Sequence, residues 1–125
     1  MIEEKRITTP QELKKYIGKL VITHYTYNGN FIESFRILTS IKDSRDEDIK
    51  EDRPSLDECR VYGKFILRRK IKGKGGTLEG YFCAETRPLY SNNLDYVRLP
   101  TTKEKHEFME RLIKYNLENN AIHIV

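Results

Sequence analysis

Asn28-Gly29 separates two runs rich in β-branched and aromatic residues, KLVITHYTY (19–27) and NFIESFRILTSI (30–41). Both residues tolerate positive φ, as a two-residue hairpin turn requires, and the flanking runs then pair antiparallel. A chain built around this hairpin is committed to an antiparallel sheet. Phe31, Phe35, Ile37 and Ile41 alternate with polar or smaller neighbours, while Ile32 and Leu38 fall on the opposite side. Both faces of the sheet are therefore partly apolar, which suits a curved sheet or small barrel covered by helices.

The hairpin is preceded by a signposted helix. Thr9, Pro10 and Glu12 make a capping box with proline at the first helical position, and Gly18 ends the helix. After the hairpin comes a charged stretch, 42–57, interrupted by Pro54. A connection of this length in a compact domain is expected to be mobile or functional. Strands are expected at 58–71 and 77–86 around a Gly73–Gly76 turn, then a polar, aromatic connection at 87–93 and a short strand at 94–99. A second capping box, Thr101-x-x-Glu104, opens a helix whose apolar stripe is Phe108, Met109, Leu112, Ile113 and Leu117. Asn119-Asn120 stops it, and the alternating tail AIHIV is expected as a last strand at a sheet edge or subunit interface. The fold class is α+β: an antiparallel, strongly twisted or barrel-like sheet of five to six strands with one N-terminal and one C-terminal helix.

At 125 residues, with 38% apolar and 34% charged residues, the chain has room for one domain, 1–125, with a thin core. A thin core favours oligomerisation as a further way to bury apolar area. The net charge of +4 permits an anionic partner without demanding one. Charge is polarised along the chain. Residues 43–58 hold eight acids against three bases, and 60–78 hold seven bases and no acid. The acidic stretch is either a solvated loop or a patch that pairs with a basic patch on another subunit. Cys59 and Cys83 lie in apolar strand patterns and read as buried thiols rather than a disulfide. With no signal peptide and no apolar run of membrane length, the expected location is the cytoplasm, with no membrane partner.

Enzyme signatures are missing from the sequence. There is no Walker loop, dinucleotide fingerprint or nucleophile elbow, and Gly73-Lys74-Gly75-Gly76 lacks the strand–loop–helix context that cradles phosphate. His24, His106 and His123 are scattered without metal-ligand spacing. The expectation is a protein without catalysis, metal or cofactor.

Binding is better supported. Phe82 stands between the small residues Gly80 and Ala84, and either fills the core or offers its ring to a base. Downstream, Arg87 can pair with a phosphate, Tyr90 supplies a second ring, and Asn92 and Asn93 can read a base edge or turn the chain. Arg36 and Arg98 are further candidates for phosphate or ribose. Lys64, Arg68 and Lys70 form a secondary basic ribbon, expected along one side of a strand. That ribbon could track a nucleic-acid backbone or discourage edge-to-edge aggregation. The low net charge and adjacent acidic stretch argue against long nucleic acid and for a small anionic, nucleotide-type ligand.

On Phe82 and Asn92 the chain resembles the phage anti-Thoeris sponges, proteins that capture the cyclic ADP-ribose-type signal of a bacterial defence system. The resemblance implies an α+β homo-oligomer that holds its ligand in recessed pockets at subunit contacts and does not cleave it. It implies a ring stacked on the adenine, matched by Phe82, with a nearby asparagine, matched by Asn92. Arg87 and Arg98 are not carried over from the family. Some members hold cyclic oligonucleotides at separate sites, for which the basic ribbon is available. The implied setting is the cytoplasm of a bacterial host during phage infection or prophage carriage. Two alternatives stand beside it: a protein–protein anti-defence inhibitor such as an anti-CRISPR, and a small nucleic-acid-binding β-barrel.

Overall fold

The computed structural model describes residues 5–27, 30–71, 78–83, 87–90 and 94–119. In chain order these form β1 (Arg6–Ile7), α1 (Pro10–Leu13, continued by a 3-10 turn at Lys14–Tyr16), β2 (Leu20–Tyr27) and β3 (Asn30–Lys42). There follow β4 (Arg60–Ile71), β5 (Leu78–Cys83), β6 (Arg87–Tyr90), β7 (Leu94–Arg98) and α2 (Thr102–Asn119). The fold is the expected α+β class, an antiparallel sheet with a short helix before it and a longer one after it. The strand order is β1-β7-β2-β3-β4-β5, an open path, with β6 also paired to β4.

β5 pairs with β4 from Ile66 to Arg69, and β6 pairs with it from Arg60 to Gly63. The other edge of β4 is occupied by β3 along its whole length. The two short strands therefore lie in line along the same edge. Arg87–Tyr90, read from sequence as a connection, is thus a strand, and Pro88 sits in it at the sheet edge, the place in a sheet where proline is tolerated. The tail 121–125 lies outside the described residues.

The hairpin signal is realised in the register. Tyr27 pairs with Asn30, which leaves two residues for the connection. The first capping box is also realised. The Glu12 N–H donates to Thr9 Oγ1 at 3.3 Å, and Gly18 takes φ 88° after the 3-10 turn.

The sheet is covered differently on its two faces. One face carries Val21, Leu38, Ile41, Val61 and Val97, buried with Ile7, Leu13, Ile49, Leu56 and Cys59. The other carries Ile22, Phe35 and Leu67, which pack against Phe108 and Leu112 of α2. Phe35 and Phe108 stack with ring centroids 6.5 Å apart. α1 is too short to cover its face alone, and residues 43–59 complete the cover.

The stretch 42–57, expected as a mobile or functional loop, is tied down. Ile49 and Leu56 are buried, Lys14 Nζ donates to the Ile49 carbonyl, and Gln11 exchanges two 3.1 Å bonds with the Arg53 backbone. Asp43 Oδ1 accepts from the N–H groups of Arg45 and Glu47 at 2.8 and 3.0 Å. Several of its acids pair within the chain, Asp48 with Lys42, Glu51 with Arg53 and Asp46 with Arg60. Cys59 is a buried free thiol, and burial pushes its pKa up. Among the described residues no helix is long and apolar enough to cross a membrane.

Arg36 explains a glycine. Its side chain, only 2% exposed, lies across the β4 backbone and donates from Nη2 to Ser34 Oγ (2.9 Å) and from Nη1 to the Val61 carbonyl (3.3 Å). A Cβ at Gly63 would stand 2.6–2.8 Å from the Arg36 side-chain carbons. Gly63→Ala should therefore displace Arg36 and lower stability by about 1–3 kcal/mol, the usual range for overpacking a core. Urea denaturation measures this; an unchanged midpoint contradicts it.

Candidate functional site

Arg98 ends β7 as the chain turns into α2. It is 4% exposed, and its guanidinium is fully engaged by the protein. Nη2 donates to Glu33 Oε2 at 2.6 Å and to Glu104 Oε2 at 2.7 Å, and Nη1 donates to Glu104 Oε1 at 2.7 Å. Nε donates to His24 Nε2 at 2.8 Å, which makes that nitrogen an acceptor. The same nitrogen stands 3.4 Å from Glu33 Oε2, a contact that becomes an ion pair only if the imidazole protonates. His24 stacks on Tyr96 at 4.2 Å, and the Arg6 guanidinium lies 3.8 Å from the Tyr96 ring centroid.

Glu104 has a second task. It accepts from the Thr101 N–H at 2.9 Å, and its own N–H donates to Thr101 Oγ1 at 3.2 Å, closing the second capping box. One carboxylate therefore caps α2 and clamps Arg98. Burial pushes the Glu104 carboxyl up, but the Arg98 guanidinium and the Thr101 N–H overcome it and hold it below its ordinary value. Burial likewise opposes the Arg98 charge, and the two carboxylates outweigh it and raise an already high pKa.

Arg36 and Arg98, each expected as a candidate for phosphate or ribose, have protein partners instead. Both are buried and held by protein partners. Arg36 pairs across β2 with Val21 of one core and Arg98 with Ile22 of the other, so they stand on opposite faces of the sheet. His24, Glu33 and Glu104 were not picked out as partners of Arg98. Glu33, an acid inside an apolar strand run, was the available signal.

The basic ribbon is also revised. Phe65 takes φ 54°, and the β3–β4 register slips between Phe35 and Ile37. This bulge pairs Lys64 with Ile37, on the α2 side of the sheet. Position 68 pairs with Ser34 and position 70 with Ile32, on the opposite side. The bulge thus shifts the register of Lys64 relative to positions 68 and 70, whose side chains lie outside the described residues.

The α2 face carries a cleft of about 450 Å³, lined by Tyr16, Lys19, Leu20, Ile37, Leu99, Pro100, Lys105, Phe108 and Met109. Among the described residues its lining has two aromatic rings, an aliphatic floor, two lysines and no carboxylate. The expected helix stripe is divided here. Phe108 and Leu112 are buried under the sheet, while Met109 and Ile113 are 44% and 51% exposed and extend the apolar surface outward from the cleft. Sequence reasoning missed this site because its residues come from four separated segments.

Of the stretch picked out for recognition, Phe82 belongs to β5, and Arg87 and Tyr90 belong to β6. Their backbones run along the outer edge of β4. Asn92 and Asn93 lie outside the described residues. The chain matches no protein-family model, no curated protein and no solved structure.

The clamp predicts an acid limb in stability. Glu104 titrates below its ordinary 4.5, so its contribution is complete above that value and is lost as pH falls through the lower folded value. Glu104→Gln should cost about 2 kcal/mol near neutral pH and flatten the decline in stability on acidification. Thermal unfolding across an acid-to-neutral series reads both; a variant with the wild-type slope contradicts the assignment.

Proposed function

We propose that this chain is a non-enzymatic binding protein that captures a small anionic ligand with a flat, base-like body, of the cyclic-nucleotide signal class that includes glycocyclic ADP-ribose. The observation that carries the reading is the cleft on the α2 face. Its volume of about 450 Å³ falls in the range of small-molecule sites. Tyr16 offers aromatic surface, and stacking on a base is worth about 1–3 kcal/mol. Lys19 and Lys105 supply positive charge for phosphate, and the apolar walls lower the local dielectric in which those charges act. The described lining joins apolar walls to two amines, an arrangement suited to holding such a ligand.

The ligand class rests on the resemblance to the anti-Thoeris sponges, which puts the base on Phe82 beside Asn92. β5 and β6 border the sheet, a position from which a second copy of the chain could complete a site. In the same reading the protein is a homo-oligomer of the bacterial cytoplasm that sequesters the signal. The cleft and the edge are separable by mutation.

Calorimetry with glycocyclic ADP-ribose and with cyclic di- and trinucleotides tests the proposal. Binding of at least one is expected, weakened by at least about tenfold in the double variant Lys19→Glu/Lys105→Glu. No binding to any of them overturns the function. Binding that Phe82→Ala abolishes and the lysine variant leaves intact overturns the assignment to the cleft.

A further inference from the structure

The cleft draws positive charge from beyond its own lining. Ile37 forms part of its floor, and Lys64 is the cross-strand partner of Ile37. Directly opposed residues share a face, with Cβ atoms about 5 Å apart. Lys64 therefore occupies the register position beside that floor. Regular alternation would have put it with positions 68 and 70 on the far side. The bulge at Phe65 turns it toward α2 instead. Phe65 packs against the core under α2, and Lys64 Nζ lies 5.5 Å from the Phe65 ring centroid.

Charge pairing elsewhere sharpens the point. Lys5 meets Glu12, Lys42 meets Asp48, Arg53 meets Glu51 and Arg98 meets two glutamates. Among the described residues Lys19, Lys64 and Lys105 form no ion pair. Two of these amines, Lys19 and Lys105, line the apolar cleft, and the third, Lys64, pairs across the strands with Ile37 of its lining. Among the described residues that lining holds no carboxylate.

We propose that Lys64 is a specificity-determining residue of this cleft, and that the three amines select a ligand carrying two negative charges on a flat apolar body over a singly charged ligand of the same shape. The inference rests on the cleft being a ligand site and names the charge that the site prefers. Coulomb attraction scales with the charge of the ligand, so a third amine contributes about twice as much for a dianion, such as a phosphate monoester or a pyrophosphate, as for a monoanion.

Two probes with one ring system separate the cases. 2-Naphthyl phosphate is a dianion at about pH 8, above its second ionisation, and 2-naphthalenesulfonate is a monoanion. Fluorescence titration of the full chain should show tighter binding of the phosphate. Lys64→Gln should weaken the phosphate about three- to fivefold, the scale of one exposed charge contact, and change the sulfonate less than about twofold. Arg68→Gln, at a register position on the opposite side, should change neither, and the unfolding midpoint of each variant reports whether the fold is kept. Equal loss for both probes, or no loss for either, overturns the role of Lys64 while leaving the cleft as a site. Failure of the wild-type chain to bind either probe overturns both.

Discussion

The Arg98–Glu104 contact ties the helical layer to the sheet. A buried guanidinium is costly unless every donor is met, and removing one partner from such a group leaves an uncompensated charge. Here the carboxylates of Glu33 and Glu104 and the His24 imidazole meet it. The partners come from β2, β3 and the first turn of α2, so the charge can be satisfied only when those three elements stand in one arrangement. Because Glu104 also caps its own helix, the start of α2 and its seat on the sheet are set together.

The cleft inherits its shape from that arrangement. Leu99 and Pro100 follow Arg98 directly, and Lys105 follows Glu104, so one wall is built from the neighbours of the clamp. The opposite wall comes from Tyr16, Lys19 and Leu20, at the entry to β2. Gly18 joins this entry to β3 through a 2.7 Å bond from its N–H to the Leu38 carbonyl. A flat ligand would therefore meet two walls held by separate hydrogen-bonded anchors. Such pre-organisation reduces the ordering cost of binding.

Much of the frame was legible in the sequence because its signals are local. Asn28-Gly29 announced the hairpin, and the two Thr-x-x-Glu boxes announced both helix starts. What stayed hidden depends on contacts between distant residues. Glu104 looked like a cap, and nothing near it in sequence points to an arginine six positions earlier as its second partner. Lys64 looked like a companion of Arg68 and Lys70, because a bulge is an irregularity of backbone that alternation cannot anticipate. The acidic stretch 43–58 looked like a solvated loop because its charges outnumber Ile49 and Leu56, whose side chains pack into the core beside Cys59. Arg87–Tyr90 looked like a connection because proline and the absence of alternation conceal an edge strand.

The central functional claim is that ligand enters the cleft under the N-terminal half of α2. Amide chemical-shift mapping during titration with glycocyclic ADP-ribose locates the site without mutation. The account predicts that the largest changes cluster at Tyr16, Lys19, Ile37, Lys64, Lys105 and Met109. Changes confined to residues 82–93, or no changes at saturating ligand, would contradict it.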